Sequence, residues 1–210
     1  MSRIEDILRN VKATIKTALH KEVDQAVNQG LTNAANAIAN SKGSKTVSFD
    51  RLPENLAELK ALPGTDLHDP YYVAGLTILA LCEFPKDQEA CFAMLDYLKG
   101  PRPLTNLEKS FINDRFMDGV DYVPRSYIAG SSPENDYTPA APYRITVKEL
   151  AHSRDNIGDG YLRLFIASSG ADSERFLDLR YKPSTDQWFL WEFPGILLGI
   201  RTPVSADPWA

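Results

Sequence analysis

YLRLFIASSGADSERFLDLRYKPSTDQWFLW, residues 161–191, is the stretch on which the fold turns. Tyr161–Ala167 alternates apolar and polar side chains and then becomes fully apolar. Phe176–Tyr181 alternates again, and Trp188–Trp191 follows after Lys182-Pro-Ser-Thr-Asp-Gln187, the text of a hairpin loop. Side chains of a strand point alternately to opposite faces, so Trp188 and Leu190 belong to one face and Phe189 and Trp191 to the other. Three short strands in succession predict an antiparallel sheet. Tyr143–Val147 carries the same period-two signature upstream, and Ile196–Ile200, ended by Pro203, reads as a last strand.

Upstream, the periodicity changes from two to between three and four. Asp69 with Pro70 opens a helix through Phe84 that is apolar nearly all round, the mark of a helix buried on every side. Pro53 opens a shorter helix through Ala61, stopped by Pro63 and Gly64. Asp87 caps Gln88–Leu98, which ends at Gly100 and Pro101. Thr105 with Glu108 three residues later forms a capping box for a fourth helix, whose apolar face holds Leu107, Phe111, Ile112, Phe116 and Met117. Four helices joined by short turns suggest a small bundle. The segment 122–142, with four prolines, reads as a long loop rather than a regular element.

Before all this, Ile4, Leu8, Val11, Ile15, Leu19, Val23 and Val27 form an amphipathic stripe, and Asn40–Thr46 reads as a linker. The expected organisation is therefore α+β in three parts. An N-terminal amphipathic helix and linker occupy 1–45, a helical bundle 46–120, and an antiparallel β domain packed against the bundle 121–210. A stripe of this kind on an isolated helix is marginal in water, so residues 4–27 are expected to meet a protein partner or a second copy of the chain.

The chain has 210 residues and a net charge of −5. Residues 120–210 carry nine basic and twelve acidic side chains, which disfavours the basic surround that nucleic acid requires. The N-terminus lacks a secretory pattern, and the longest apolar run, Val73–Cys82, is half of what a membrane span needs, so the cytoplasm is the expected address. Cys82 and Cys91 match no metal spacing and read as buried, reduced thiols. His20, His68 and His152 are dispersed, so no metal and no cofactor is expected.

Several ordered motifs resemble a known group. They are Leu81-Cys82, Ala90-Cys91-Phe92, Leu98-Lys-Gly-Pro-Arg-Pro-Leu104, Tyr122-Val-Pro-Arg-Ser-Tyr127, Ser169-Gly-Ala-Asp-Ser173, Gln187-Trp-Phe-Leu-Trp-Glu192 and Asp207-Pro-Trp-Ala210. Together they resemble an uncharacterised bacterial family, met mainly in gut-associated Firmicutes and without an assigned function. The resemblance covers about residues 53–210 and implies no catalytic residue.

Candidate site residues come from the side chains themselves. Arg102 sits in a stretch stiffened by Gly100, Pro101 and Pro103, and Arg125 in Val123-Pro-Arg-Ser-Tyr127. A guanidinium held in this way suits a carboxylate or phosphate, or locks one part of the chain to another. Tyr127, Trp188 and Trp191 supply aromatic surface for packing, or for a peptide or glycan. Ser169 and Asp172 lie in a small-residue turn whose backbone N–H groups suit an anion or simply close a hairpin. His152 with Asp155 and Asp159 is the candidate catalytic set, in a segment that also reads as ordinary turn text. The leading expectation is a non-enzymatic binding or interaction module. The alternative is a hydrolase assembled around His152 and a nearby carboxylate.

Overall fold

The computed structural model describes residues 43–209. The expected helix over residues 4–27 lies outside the described residues. Five strands form one antiparallel sheet in sequence order: β1 (Ser44–Phe49), β2 (Tyr143–Lys148), β3 (Tyr161–Ile166), β4 (Arg175–Lys182) and β5 (Gln187–Glu192). Four helices stand between β1 and β2: α1 (Leu56–Lys60), α2 (Pro70–Cys82), α3 (Gln88–Lys99) and α4 (Asn106–Arg115). The α+β class holds, with one strand ahead of the helices.

That first strand corrects the linker reading. Ser44, Lys45 and Thr46 pair with Lys148, Val147 and Thr146 of β2. Their polar side chains gave the stretch a linker's composition, and only Val47 and Phe49, 1% and 2% exposed, anchor it inward. Two buried side chains at alternate positions suffice when the partner strand supplies the ladder. The expected strand over Ile196–Ile200 is corrected too. Pro194–Leu197 makes a 3-10 turn that buries Ile196 and Leu197, and Gly199 then takes φ +65°. Pro194 has no N–H to give to a ladder, and a left-handed glycine bends the chain away from an extended path.

Capping follows the local text in α2, α3 and α4, whereas α1 starts on an Asn55 cap rather than at Pro53, because the Asn55 side chain accepts from the Glu58 N–H. Asp69 accepts from the Tyr71 N–H at 2.9 Å, Asp87 from the Ala90 N–H at 2.9 Å, and Thr105 and Glu108 close the capping box of α4. In α2, every residue from Val73 to Cys82 is buried. The helix packs against β1 and β2 at one end of the sheet and β5 at the other. A helix roughly 10 Å across can touch both only if the sheet curls around it. Gly75 allows the closest approach, since a Cβ there would lie 2.6 Å from Val47 Cγ2. The helices thus do not enclose a core of their own. One cluster runs from Leu76, Ile78 and Leu81 through Ile145, Leu164, Leu179 and Leu190.

Both cysteines are free and buried, with Cys82 pushed up to about 12 by loss of solvent and Cys91 pushed up for the same reason. The proline-rich stretch is pinned at two tyrosines. Tyr127 Oη donates to Ile196 O at 2.6 Å and Tyr137 Oη to Arg201 O at 2.8 Å. Among the described residues no helix is long and apolar enough to cross a membrane.

Candidate functional site

The curl that buries one face of the sheet leaves the other face of β3–β5 without a helical cover. Outward positions alternate along each strand: Tyr161, Arg163 and Phe165 on β3, then Phe176, Asp178 and Arg180 on β4. Alternation continues on β5, where Leu190, opposite Leu179, is buried while Phe189 and Trp191 stay half-buried, and the β4–β5 register shifts between Asp178 and Leu179. Aromatics and arginines interleave on this surface. The guanidinium of Arg163 lies 4.0 Å from the Phe176 ring centre, that of Arg180 4.1 Å from Tyr161, and that of Arg102 4.2 Å from Trp191. Each such contact is worth about 0.5–1 kcal/mol when exposed, enough to favour one side-chain position a few-fold without removing it from solvent.

Trp191 separates two hollows. On one side is an open polar cleft of about 430 Å³ that includes His152, Asp155, Asp159, Arg163, Asp178 and Glu192. Arg163 grips Asp178 with two parallel hydrogen bonds, Nε to Oδ1 at 2.7 Å and Nη2 to Oδ2 at 2.8 Å. That hydrogen bond from Arg163 holds its guanidinium above its usual basicity. The wall carrying His152 is fastened to the sheet. Arg163 N–H donates to Ser153 O at 3.0 Å, Ser153 Oγ accepts from the Leu150 N–H at 2.8 Å, and Arg154 pairs with Glu149. His152 Nδ1 lies 2.9 Å from Asp155 Oδ2, and its side chain is 85% exposed. The nearest hydroxyl in sequence, Ser153, is buried and spent on the loop, so this cleft offers no free serine beside the imidazole.

On the other side of Trp191 is a hollow of about 330 Å³ bounded by Lys99, Pro101, Arg102, Arg180, Tyr181, Lys182, Pro183 and Phe189. The end of α3 builds it. Lys99 is buried, and its Nζ donates to Glu108 Oε1 at 2.8 Å and to Trp191 O at 3.0 Å, tying the helix to the edge of β5. Gly100 follows at φ +60°, seated against the Phe189 ring, and turns the chain so that Arg102 reaches over Trp191.

Of the residues singled out in the sequence, the fold brings together His152, Asp155, Asp159, Trp191 and Arg102. The others stand elsewhere. Trp188 faces inward against the core and lies 4.9 Å from the Tyr181 ring. Arg125 donates from Nε to Tyr137 O at 3.1 Å and lies 3.6 Å from Asp121. Tyr127 is buried, and Asp172 pairs with Arg201. The turn at Ser169 spends its own backbone: Ser169, Gly170 and Ala171 N–H donate to Ser126 O, Ser168 Oγ and Ser168 O. Sequence reading passed over Tyr161, Arg163, Asp178, Arg180 and Lys182. Period-two alternation does place Arg163 and Asp178 outward, but only the β3–β4 register sets them opposite each other. Among the described residues no group of three His, Cys, Asp or Glu is placed to hold a metal ion.

A family model with the description "Domain of unknown function (DUF6935)" matches residues 51–204. No curated protein and no solved structure matches the chain.

Proposed function

The chain belongs to the DUF6935 family, whose description assigns no chemistry, and we propose from the site alone that it is a non-enzymatic binding module. Its recognition surface is the outer face of β3–β5 around Trp191. The observation that carries this reading is Trp191 itself, an aromatic side chain left half-buried between two hollows, braced by Arg102 on its face and by Tyr161 at 5.6 Å. Aromatic surface already positioned at a concave site loses little entropy on binding and supplies a large contact area. The test is titration of a panel of oligosaccharides, short peptides and small organic anions, followed by tryptophan fluorescence and confirmed by calorimetry. At least one class should bind with a Kd below about 1 mM, and Trp191→Ala should weaken it about tenfold while keeping its unfolding midpoint. A panel without a single binder, or a binder indifferent to Trp191→Ala, overturns the reading.

A second reading draws support from the short contact between His152 and Asp155 beside Asp159. In a hydrolase, His152 as general base would activate a water molecule, oriented by Asp155. Screening ester, phosphoester and glycoside hydrolysis with wild type and His152→Ala decides between them, because only this reading requires turnover that His152→Ala abolishes.

Two further parts of the proposal concern the protein's surroundings. Residues 4–27 dock on a second copy or a partner through their apolar stripe. Sizing in solution with and without residues 1–42 tests self-association, and identical monomeric sizes at micromolar concentration would dismiss it. The address is a bacterial cytoplasm, where two buried free thiols remain reduced.

A further inference from the structure

The smaller hollow beside Trp191 has a charge pattern at odds with the whole molecule. The chain carries −5, yet no carboxylate bounds this hollow. Of its four cations, Lys99 is neutralised by Glu108. The other three keep their charge. Arg180 donates to a neutral carbonyl, Asp159 O, at 2.5 Å while stacking on Tyr161. Arg102 and Lys182 have no carboxylate partner among the described residues, and the guanidinium of Arg102 lies over the face of Trp191. Unpaired cations at a concave, low-dielectric wall raise the local potential and concentrate anions there.

The remaining lining is apolar: the rings of Trp191 and Phe189, with Pro101 and Pro183. A volume of about 330 Å³ is at the small end of ligand pockets, which run roughly 300–1,000 Å³, so it suits one ring system with its charged group. A carboxylate brings one charge, whereas a phosphate monoester brings about −1.5 to −2 at pH 7 with three acceptor oxygens. Three cations from two segments, Arg102 after α3 and Arg180 and Lys182 on β4, match the second better than the first.

We propose that this hollow is a binding site for a flat unsaturated ring bearing a phosphate monoester, a ligand of mononucleotide size. The phosphate meets Arg102, Arg180 and Lys182, and the ring lies on the apolar wall of Phe189 and Trp191. This rests on the reading of the outer face as a recognition surface and names the ligand class for one of its two hollows.

Calorimetric titration of the full chain with adenosine monophosphate as probe tests it, with adenosine, inorganic phosphate and a ten-residue oligoadenylate as comparisons. Adenosine monophosphate should bind about tenfold or more tightly than adenosine or phosphate alone, and the affinity should fall as salt rises. Arg102→Gln and Lys182→Gln, both at positions whose side chains reach solvent, should each weaken it by about tenfold. Arg144→Gln, at an exposed cation outside this hollow, should leave it unchanged. No measurable binding overturns the proposal, and so does binding that ignores both charge variants. Oligoadenylate binding without mononucleotide binding overturns it in favour of a polymer track. If a neutral oligosaccharide binds in a Trp191-dependent manner while the mononucleotide does not, the recognition surface stands and this assignment falls.

Discussion

Lys99 is a charged side chain with no exposed surface, and two acceptors account for it: the Glu108 carboxylate and the Trp191 carbonyl. Removing one partner of such a pair leaves an uncompensated charge, so Glu108→Ala should cost about 3 kcal/mol in urea denaturation. The pair also has a pH signature. Burial pushes the Glu108 carboxyl up, but hydrogen bonds from Lys99 and Thr105 outweigh it and hold the group below its usual value. The unfolded chain therefore binds this proton more readily than the folded one. The stability it confers is complete above about pH 4.3, the ordinary glutamate value, and is lost as pH falls through the lower folded value. Glu108→Gln should flatten that acid limb, and parallel limbs in the two proteins would contradict the assignment. Next to Lys99, Gly100 combines φ +60° with a neighbouring Phe189 ring where a Cβ would have to go. Gly100→Ala should cost about 3 kcal/mol through backbone strain and overpacking, measured as a shift in unfolding midpoint. A midpoint matching wild type would mean the turn has room that the structure denies it.

Among the elements, β1 is the one whose sequence hides its role. It lies outside the residues matched by the family model, yet it completes the sheet and covers β2. Phe49 is buried and meets the Tyr72 ring edge-on at 5.9 Å, while Val47 packs at Gly75 of α2. Phe49→Ala should cost about 3–5 kcal/mol. A chain beginning at residue 50 should be less stable than one beginning at residue 43, because Ile145 and Val147 of β2 would sit at a bare edge. Equal midpoints for the two chains would show that β1 is dispensable. The helices are the opposite case. Their caps at Asp69, Asp87 and Thr105 were all legible, since a cap is a bond between residues two or three apart and needs nothing from the rest of the chain.

At the scale of the whole molecule, one helix runs through the centre of a curled sheet, so helices and strands share a single apolar cluster. Trp188 stands where they meet. Its N–H donates to Leu67 O just ahead of α2 at 2.8 Å, and its side chain packs on the core. Urea unfolding followed by far-ultraviolet circular dichroism and by tryptophan fluorescence should give coincident transitions. Trp188→Ala should move both together by about 3 kcal/mol. Helical signal that outlasts the fluorescence transition would mean two units that unfold apart.

What the sequence by itself determined is whatever depends on neighbours along the chain: helix caps, the all-round burial of α2, the period-two strands, the buried thiols, and His152 close to Asp155 on one turn. Tertiary structure alone decided the rest. Whether Ser44–Thr46 is linker or strand depends on Lys148 and its neighbours a hundred residues away. Arg163 and Asp178 become partners only through the β3–β4 register, and alternation puts Trp188 and Trp191 on opposite faces, but only packing decides that the face of Trp188 is the one turned to the core. Arg102 reaches Trp191 because α3 ends on a left-handed glycine beside β5. Periodicity tells which side chains share a face. Register and curl, set by long-range packing, determine which of those faces meet and which stay open to a ligand.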